Sequence, residues 1–237
     1  MKNEQTCPNC NNQNDFYKMN CDSCGTILRG RVVNIDFWST TWQMIESPTQ
    51  AIKSIIYSEH KNLISFIAIL GGFKLFLLSS FIMNLIFPKL TFEGSILTQL
   101  FISAGLFILL QFLFAFTLKF ILKPFDVNTR FKDNLAIYIY STIPLVIALT
   151  ILFPIEYGIF GGHWIYFNPS PYLINFSSAL ILSGVEILFL LWHLLLLTIS
   201  NFVQTKNIVF SLAASVIILV IEVGLIGFVP AFIASLL

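Results

Sequence analysis

Charge is what this sequence lacks most. Asp, Glu, Lys and Arg make up 11% of its 237 residues, while 57% are hydrophobic; soluble domains carry about 25% charged residues and roughly 45–50% apolar ones. A soluble fold of this length cannot hide so much apolar surface, so a lipid bilayer must act as solvent. A net charge of +1 leaves no basic stripe to neutralise phosphates, which excludes an electrostatic nucleic-acid role. Histidine is sparse as well. His60, His163 and His193 are the only three, and none shares a helix turn with another histidine or a cysteine, as metal ligands do. A Gly-rich phosphate loop, a nucleophile elbow and a His-Glu-x-x-His motif are all missing, so the chain is expected not to be an enzyme. Gly71-Gly72 and Gly161-Gly162 read as packing or turn glycines. The polar start Met1-Lys2-Asn3-Glu4-Gln5-Thr6 lacks an apolar signal-peptide core. The first spanning helix is therefore expected to direct insertion itself.

Cysteine is rare but concentrated. All four lie in the first 24 residues, as Cys7-Pro8-Asn9-Cys10 and Cys21-Asp22-Ser23-Cys24. Each Cys-x-x-Cys pair can form a tight knuckle whose thiolates face one ion, and two knuckles complete a closed tetrahedral site, the usual structural zinc arrangement. A pair of disulfides or a redox Cys-x-x-Cys is the rival reading. A small hairpin is expected between the knuckles, around Phe16-Tyr17. So short a segment has no core of its own, and bound Zn²⁺ would supply its folding free energy. With four thiolates on the ion no position stays open for catalysis, which makes the ribbon structural or a contact surface. Zinc thiolates suit a reducing compartment, which places the head in the cytosol.

Crossing about 30 Å of hydrocarbon takes about 20 apolar residues. Five stretches qualify: Leu63–Phe87, Ile96–Leu122, Leu135–Gly161, Leu173–Ser200 and Ile208–Leu237. The expected fold is an all-α polytopic membrane protein. It divides into a zinc ribbon over 1–30, a linker over 31–62 and a five-helix bundle over 63–237. Lys and Arg set orientation. Lys2, Lys18, Arg29, Arg31, Lys53, Lys61, Lys119, Lys123, Arg130, Lys132 and Lys206 fall on one side, and only Lys89 on the other. The head is thus expected in the cytosol and the C-terminus on the far side, in a bacterial inner membrane or a eukaryotic endomembrane. Trp164, Tyr166, Phe167 and Tyr172 suggest an aromatic belt at the far interface.

Within the linker, Ser47-Pro48 reads as an N-cap followed by proline at the first helical position. Ile52, Ile55 and Ile56 then share one face, as in a short amphipathic helix lying on the membrane interface, with Phe37, Trp38 and Trp42 as anchors before it. An extended linker is the alternative. The segment Trp42-Gln43-Met44-Ile45-Glu46-Ser47-Pro48-Thr49-Gln50-Ala51-Ile52 resembles the entry to a Yip domain. Asp133-Asn134-Leu135-Ala136-Ile137-Tyr138-Ile139-Tyr140-Ser141-Thr142-Ile143-Pro144 resembles that domain's third span. The resemblance covers residues 37–237. It implies five spans with a cytosolic N-terminus and no catalytic residues. Eukaryotic Yip proteins interact with Rab-type GTPases, and their Asp-Leu-Tyr-Gly-Pro segment has no match in this chain.

Ionisable groups inside a span default to functional hypotheses. Lys74, Gln111, Glu186 and Glu222 each lie near the middle of a span, so all four can meet at the midplane. At 3.6 residues per turn, Asn175, Glu186, His193 and Ser200 fall within about 40° of one helix face. Ser211, Ser215 and Glu222 share a face of the fifth span, with Gly224, Gly227, Ala231 and Ala234 broadly opposite as close-packing positions. Either a Lys74–Glu186 or Lys74–Glu222 pair fixes helix register, or Glu186, His193 and Glu222 relay protons or ions with Lys74 as counter-charge. Glu156, after Pro154 and nearer the far side, either faces the lumen or belongs to a water-filled vestibule. Two functions follow as expectations: a Yip-like membrane adaptor whose ribbon contacts a cytosolic or membrane protein, or a small ion- or proton-coupled transporter. Five spans without an inverted repeat are few for a carrier, so transport implies a homo-oligomer.

Overall fold

The structure is a computed structural model that describes residues 4–15, 18–28, 35–58, 60–87, 95–125 and 129–234. Its head is built on strands β1 (Glu4–Thr6) and β2 (Gln13–Asp15), antiparallel with Gln5 opposite Asn14. This hairpin closes over the first cysteine knuckle; Phe16 and Tyr17, where a hairpin between the knuckles is expected, lie outside the described residues. Asn20 bridges Ile27 across the second knuckle, so each Cys-x-x-Cys sits in its own small turn.

Two short helices lead to the bundle. Helix α1 (Phe37–Glu46) is capped by Asp36, whose carboxylate accepts from the Ser39 N–H. Helix α2 (Pro48–Tyr57) starts where Ser47-Pro48 indicated, with proline in its first turn, although the Ser47 side chain makes no capping bond. The stretch before α2 is thus helical, not extended.

Among the described residues, five helices are long and apolar enough to cross a membrane, and the protein is a multi-pass membrane protein. Helix α3 is Ile64–Ile86 and α4 is Ile96–Ile121. The third crossing, Phe131–Phe160, begins earlier than the expected Leu135 and is not one regular helix. It comprises α5 (Phe131–Ser141), α6 (Ile143–Ile147), a π-helical turn at Ala148–Leu152, and α7 (Phe153–Phe160). Pro144 and Pro154 sit in the first turns of α6 and α7. Neither can donate to the carbonyl four residues back, so the ladder is interrupted twice. Hydroxyls bond the backbone just before the first break: Ser141 Oγ donates to the Ile137 carbonyl at 2.8 Å and Thr142 Oγ1 to Ile139 at 2.6 Å.

Short helices α8 (His163–Tyr166) and α9 (Pro171–Ile174) precede α10 (Phe176–Thr205) and α11 (Ile208–Ala234). The expected aromatic belt is largely internal. Trp164 is buried and stacks on Phe81, centroids 4.8 Å apart, and on Phe160. Phe167 meets Phe81 edge-on, and Tyr172 bonds Ser183 at 2.7 Å. Of the four, Tyr166 alone is exposed. These aromatics close the end of the bundle over α3.

The most apolar stretches of α3 and the broken third crossing are 61% and 72% buried, against 33% for each of α4, α10 and α11. The first two are therefore the inner helices, and the other three turn large side chains such as Phe101, Phe116, Ile181, Leu188 and Val220 outward. Close approach to α3 depends on glycine: a Cβ on Gly72 would lie 3.1 Å from the Ala104 Cα, and one on Gly71 would lie 2.9 Å from the Thr142 hydroxyl. Gly227 serves the same purpose from α11, facing Ser79 and Met83, whereas Gly224 faces open space. The small-residue face of α11 is thus narrower than the sequence indicates.

The amphipathic α2 is present, but its apolar face meets protein. Ala51, Ile52, Ile55 and Ile56 are all buried, and the helix packs on α5 and α10. Burying each isoleucine contributes about 1.5–3 kcal/mol, enough to hold the linker on the bundle. The same junction carries polar ties: Tyr140 Oη donates to the Asn62 carbonyl at 2.6 Å, and Lys61 pairs with Asp133 at 3.0 Å.

Candidate functional site

Two clusters concentrate chemistry. In the head, the four sulfurs lie within 4.8 Å of one another, Cys7 and Cys24 at 3.5 Å and Cys10 and Cys21 at 3.5 Å. The two knuckles repeat the same backbone pattern. The Cys7 N–H donates to the Asn12 carbonyl and the Cys21 N–H to Thr26, both at 2.9 Å. The Asn11 N–H returns to the Cys7 carbonyl and the Gly25 N–H to Cys21. Asn11 and Gly25 occupy equivalent left-handed positions, φ +55° and +69°, which asparagine and glycine tolerate best. Thiolates about 2.3 Å from a tetrahedral ion are about 3.8 Å apart, so this group can hold one metal ion.

Two of the thiols are poised to ionise. Hydrogen bonds from the Thr26 hydroxyl and N–H, helped by Cys10, bring Cys24 down to about 6. Cys21 is lowered chiefly by the Cys24 N–H. Cys10 is pushed up to about 12: the Asn12 backbone bond favours its thiolate but is outweighed by Cys24, desolvation and the other two sulfurs. Protons left on the set are what an incoming metal displaces.

The second cluster is inside the bundle, and the four midplane residues divide into two groups. Lys74, from α3, bonds Glu186 of α10, and its Nζ is 3.6 Å from Glu156 Oε2 on α7. Glu222, from α11, instead accepts from Gln111 Nε2 of α4 at 2.7 Å and faces His193 Nε2 at 3.3 Å. His193 Nδ1 lies 2.9 Å from the Ser141 carbonyl. A carbonyl only accepts, so Nδ1 carries the hydrogen, and the contact with Glu222 needs a proton between ring and carboxyl. Lys74, Glu156, His193 and Glu222 have no solvent exposure, and Glu186 and Gln111 almost none.

The polar face of α10 continues to its end. Ser200 meets Ser141 at 2.9 Å, Tyr138 donates to Asn201 Oδ1 at 2.5 Å, and Asn201 Nδ2 donates to Ser215 at 2.9 Å. Ser211 closes the ladder against Thr205 at 3.1 Å. Asn175 does not belong to this stripe. It is exposed at the N-cap of α10, where its Oδ1 accepts from the Ser178 N–H. The aspartate that holds Lys61 is itself held within its own helix start: Arg130 grips Asp133 through Nε at 2.9 Å and Nη2 at 3.2 Å. Burial holds Lys61 down to about 8, outweighing the attraction of Asp133.

Compared with family models, curated proteins and solved structures, the chain matches none.

Glu186, His193 and Ser200 are all buried along α10, each against a different partner, and the four sulfurs lie together. Glu156, Tyr138 and Asn201 escaped the helical periodicity. Asn201 adjoins Ser200 on the striped face, a signal that was there to use. Glu156 follows a proline and a π turn, whose extra residue rotates everything after it by about 100°. Counting along a straight helix cannot place it.

Proposed function

We propose that this protein is a Yip-like membrane scaffold whose four-cysteine head binds structural zinc and docks a cytosolic or membrane protein partner. The observation that carries the reading is the closed four-sulfur cluster. Four thiolates saturate a tetrahedral ion, so the head presents a surface and not a reactive metal. The linker supports the same reading: α2 is packed on α5 and α10, which couples whatever the head contacts to the bundle. Trp38, Trp42 and Ile45 lie exposed along one face of α1, suited to the membrane interface beside the start of α3. The arginine and lysine distribution supports a cytosolic head.

A second reading has a specific observation behind it. Six polar side chains, Lys74, Gln111, Glu156, Glu186, His193 and Glu222, are buried together among membrane helices, as in ion pathways. A transporter built on them would work as a homo-oligomer. Crosslinking in native membranes, followed by mass spectrometry, separates the two. The intact chain is compared with a Cys7→Ser/Cys10→Ser version. A partner captured only by the intact head is the expected result. Self-crosslinks alone, together with ion flux that Glu186→Gln or Glu222→Gln abolishes, would replace the scaffold by the transporter.

A further inference from the structure

The inner charge group does not balance. Lys74 and Glu186 neutralise each other through their direct bond. Glu156 is then left over, with no solvent exposure. Neither of its oxygens has a hydrogen-bond partner, and Glu186 Oε2 has none either. Its nearest cation is the same Lys74 ammonium, 3.6 Å from Oε2 and already committed. Both carboxyl groups stand against that one ammonium, Glu186 bonded to it and Glu156 3.6 Å away.

Among the described residues, no cation besides Lys74 lies within ion-pair distance of either carboxyl. From α10 and α11, His193 and Glu222 engage each other, with Gln111 of α4. Tyr138 and Tyr140 of α5 donate to Asn201 and to the Asn62 carbonyl. His163 of α8 is exposed and bonds the Asn168 carbonyl. A lone ionised carboxylate in such a place is among the costliest groups a membrane protein can bury.

We propose that Glu156 and Glu186 form a proton-binding site, one carboxylic acid donating to the facing carboxylate while Lys74 neutralises the remaining charge. The atoms suit a proton and not a metal ion. Hard cations take about six oxygen ligands, whereas three oxygens are free here and an ammonium stands beside them. A shared proton needs one donor oxygen and one acceptor, and both are present. It leaves the group with one positive and one negative charge in direct contact. The site is independent of the scaffold reading, since it rests on the bundle interior and not on the head.

Infrared difference spectroscopy of the full chain in lipid nanodiscs at neutral pH tests it. The wild type is expected to show a protonated carboxylic-acid carbonyl band that shifts on transfer to D₂O. The band should vanish in Glu156→Gln and persist in Glu222→Gln. Glu186→Gln is an independent second variant: it leaves Lys74 to pair with Glu156, so the band should vanish there too. Glu156→Gln mimics the protonated acid and should fold as the wild type does. No such band in the wild type would overturn the proposal. So would a band unchanged in both Glu156→Gln and Glu186→Gln, or one that sodium chloride abolishes in favour of a carboxylate signal.

Discussion

Lys74→Met probes the bundle interior most severely. The wild-type ammonium, fully buried, bonds Glu186 and lies 3.6 Å from Glu156. Methionine fills similar volume, so the change removes charge with little loss of packing. What remains is the carboxylate charge that the ammonium balanced, buried and without a cation. Breaking a buried pair by deleting one partner costs about 3–5 kcal/mol, a large share of a stability of roughly 5–15 kcal/mol. For a chain of this size that corresponds to a drop in Tm of roughly 6–20 °C. The matching change Glu186→Gln removes the stranded charge, so the double variant should recover most of the loss. Helical ellipticity followed by thermal melting in one detergent measures all three chains. A Lys74→Met protein as stable as the wild type, or a double variant no better than the single, would refute the claim that this pair is a charge-matched unit.

Metal content is checked by elemental analysis of the purified chain: one zinc per molecule is expected, lost in Cys7→Ser/Cys10→Ser. The bundle's melting should hardly change, because no described residue before Ile35 contributes to its apolar core. Gly72→Ala places a Cβ 3.1 Å from the Ala104 backbone and should destabilise by about 1–3 kcal/mol. Gly105→Ala, where the Cβ meets open space, should be neutral or add up to about 1 kcal/mol; parallel melts compare the two. Lys61 gives a pH signature. Its amine titrates at about 8 in the fold and at 10.5 ordinarily, so across that window the unfolded chain binds more protons. Stability should rise with pH over that interval and stay flat with respect to this group below it. Lys61→Met should lose the slope.

What could be read in advance was whatever depends on short-range spacing. Cys7, Cys10, Cys21 and Cys24 were legible because a knuckle is a local turn, and Glu186, His193 and Ser200 because α10 is regular from end to end. The length and apolarity of α3, α4, α10 and α11 sufficed to draw them. Choices among distant partners were not legible. That Lys74 takes Glu186 and Glu156, leaving Glu222 to Gln111 and His193, depends on which helices adjoin, and one chain's pattern does not encode that. The face of α2 was visible in Ile52, Ile55 and Ile56, but an apolar stripe reads the same whether lipid or protein covers it. Trp164 illustrates the same ambiguity: a tryptophan near a span's end suits an interface, and here it plugs the bundle over Phe81.

The α10 stripe also makes that helix intolerant of changes in length. Seven residues cover almost two full turns, which is why Glu186, His193 and Ser200 recur on one side. Inserting or deleting a single residue between Glu186 and His193 would rotate one half against the other by about 100°. Either the carboxylate that answers Lys74, or the imidazole and hydroxyl that answer Glu222 and Ser141, would then turn toward hydrocarbon. Substitutions on the outward face, at Leu188 or Leu191, leave that phase untouched. Variation along α10 is thus free in side-chain identity on one side and quantised in residue number throughout.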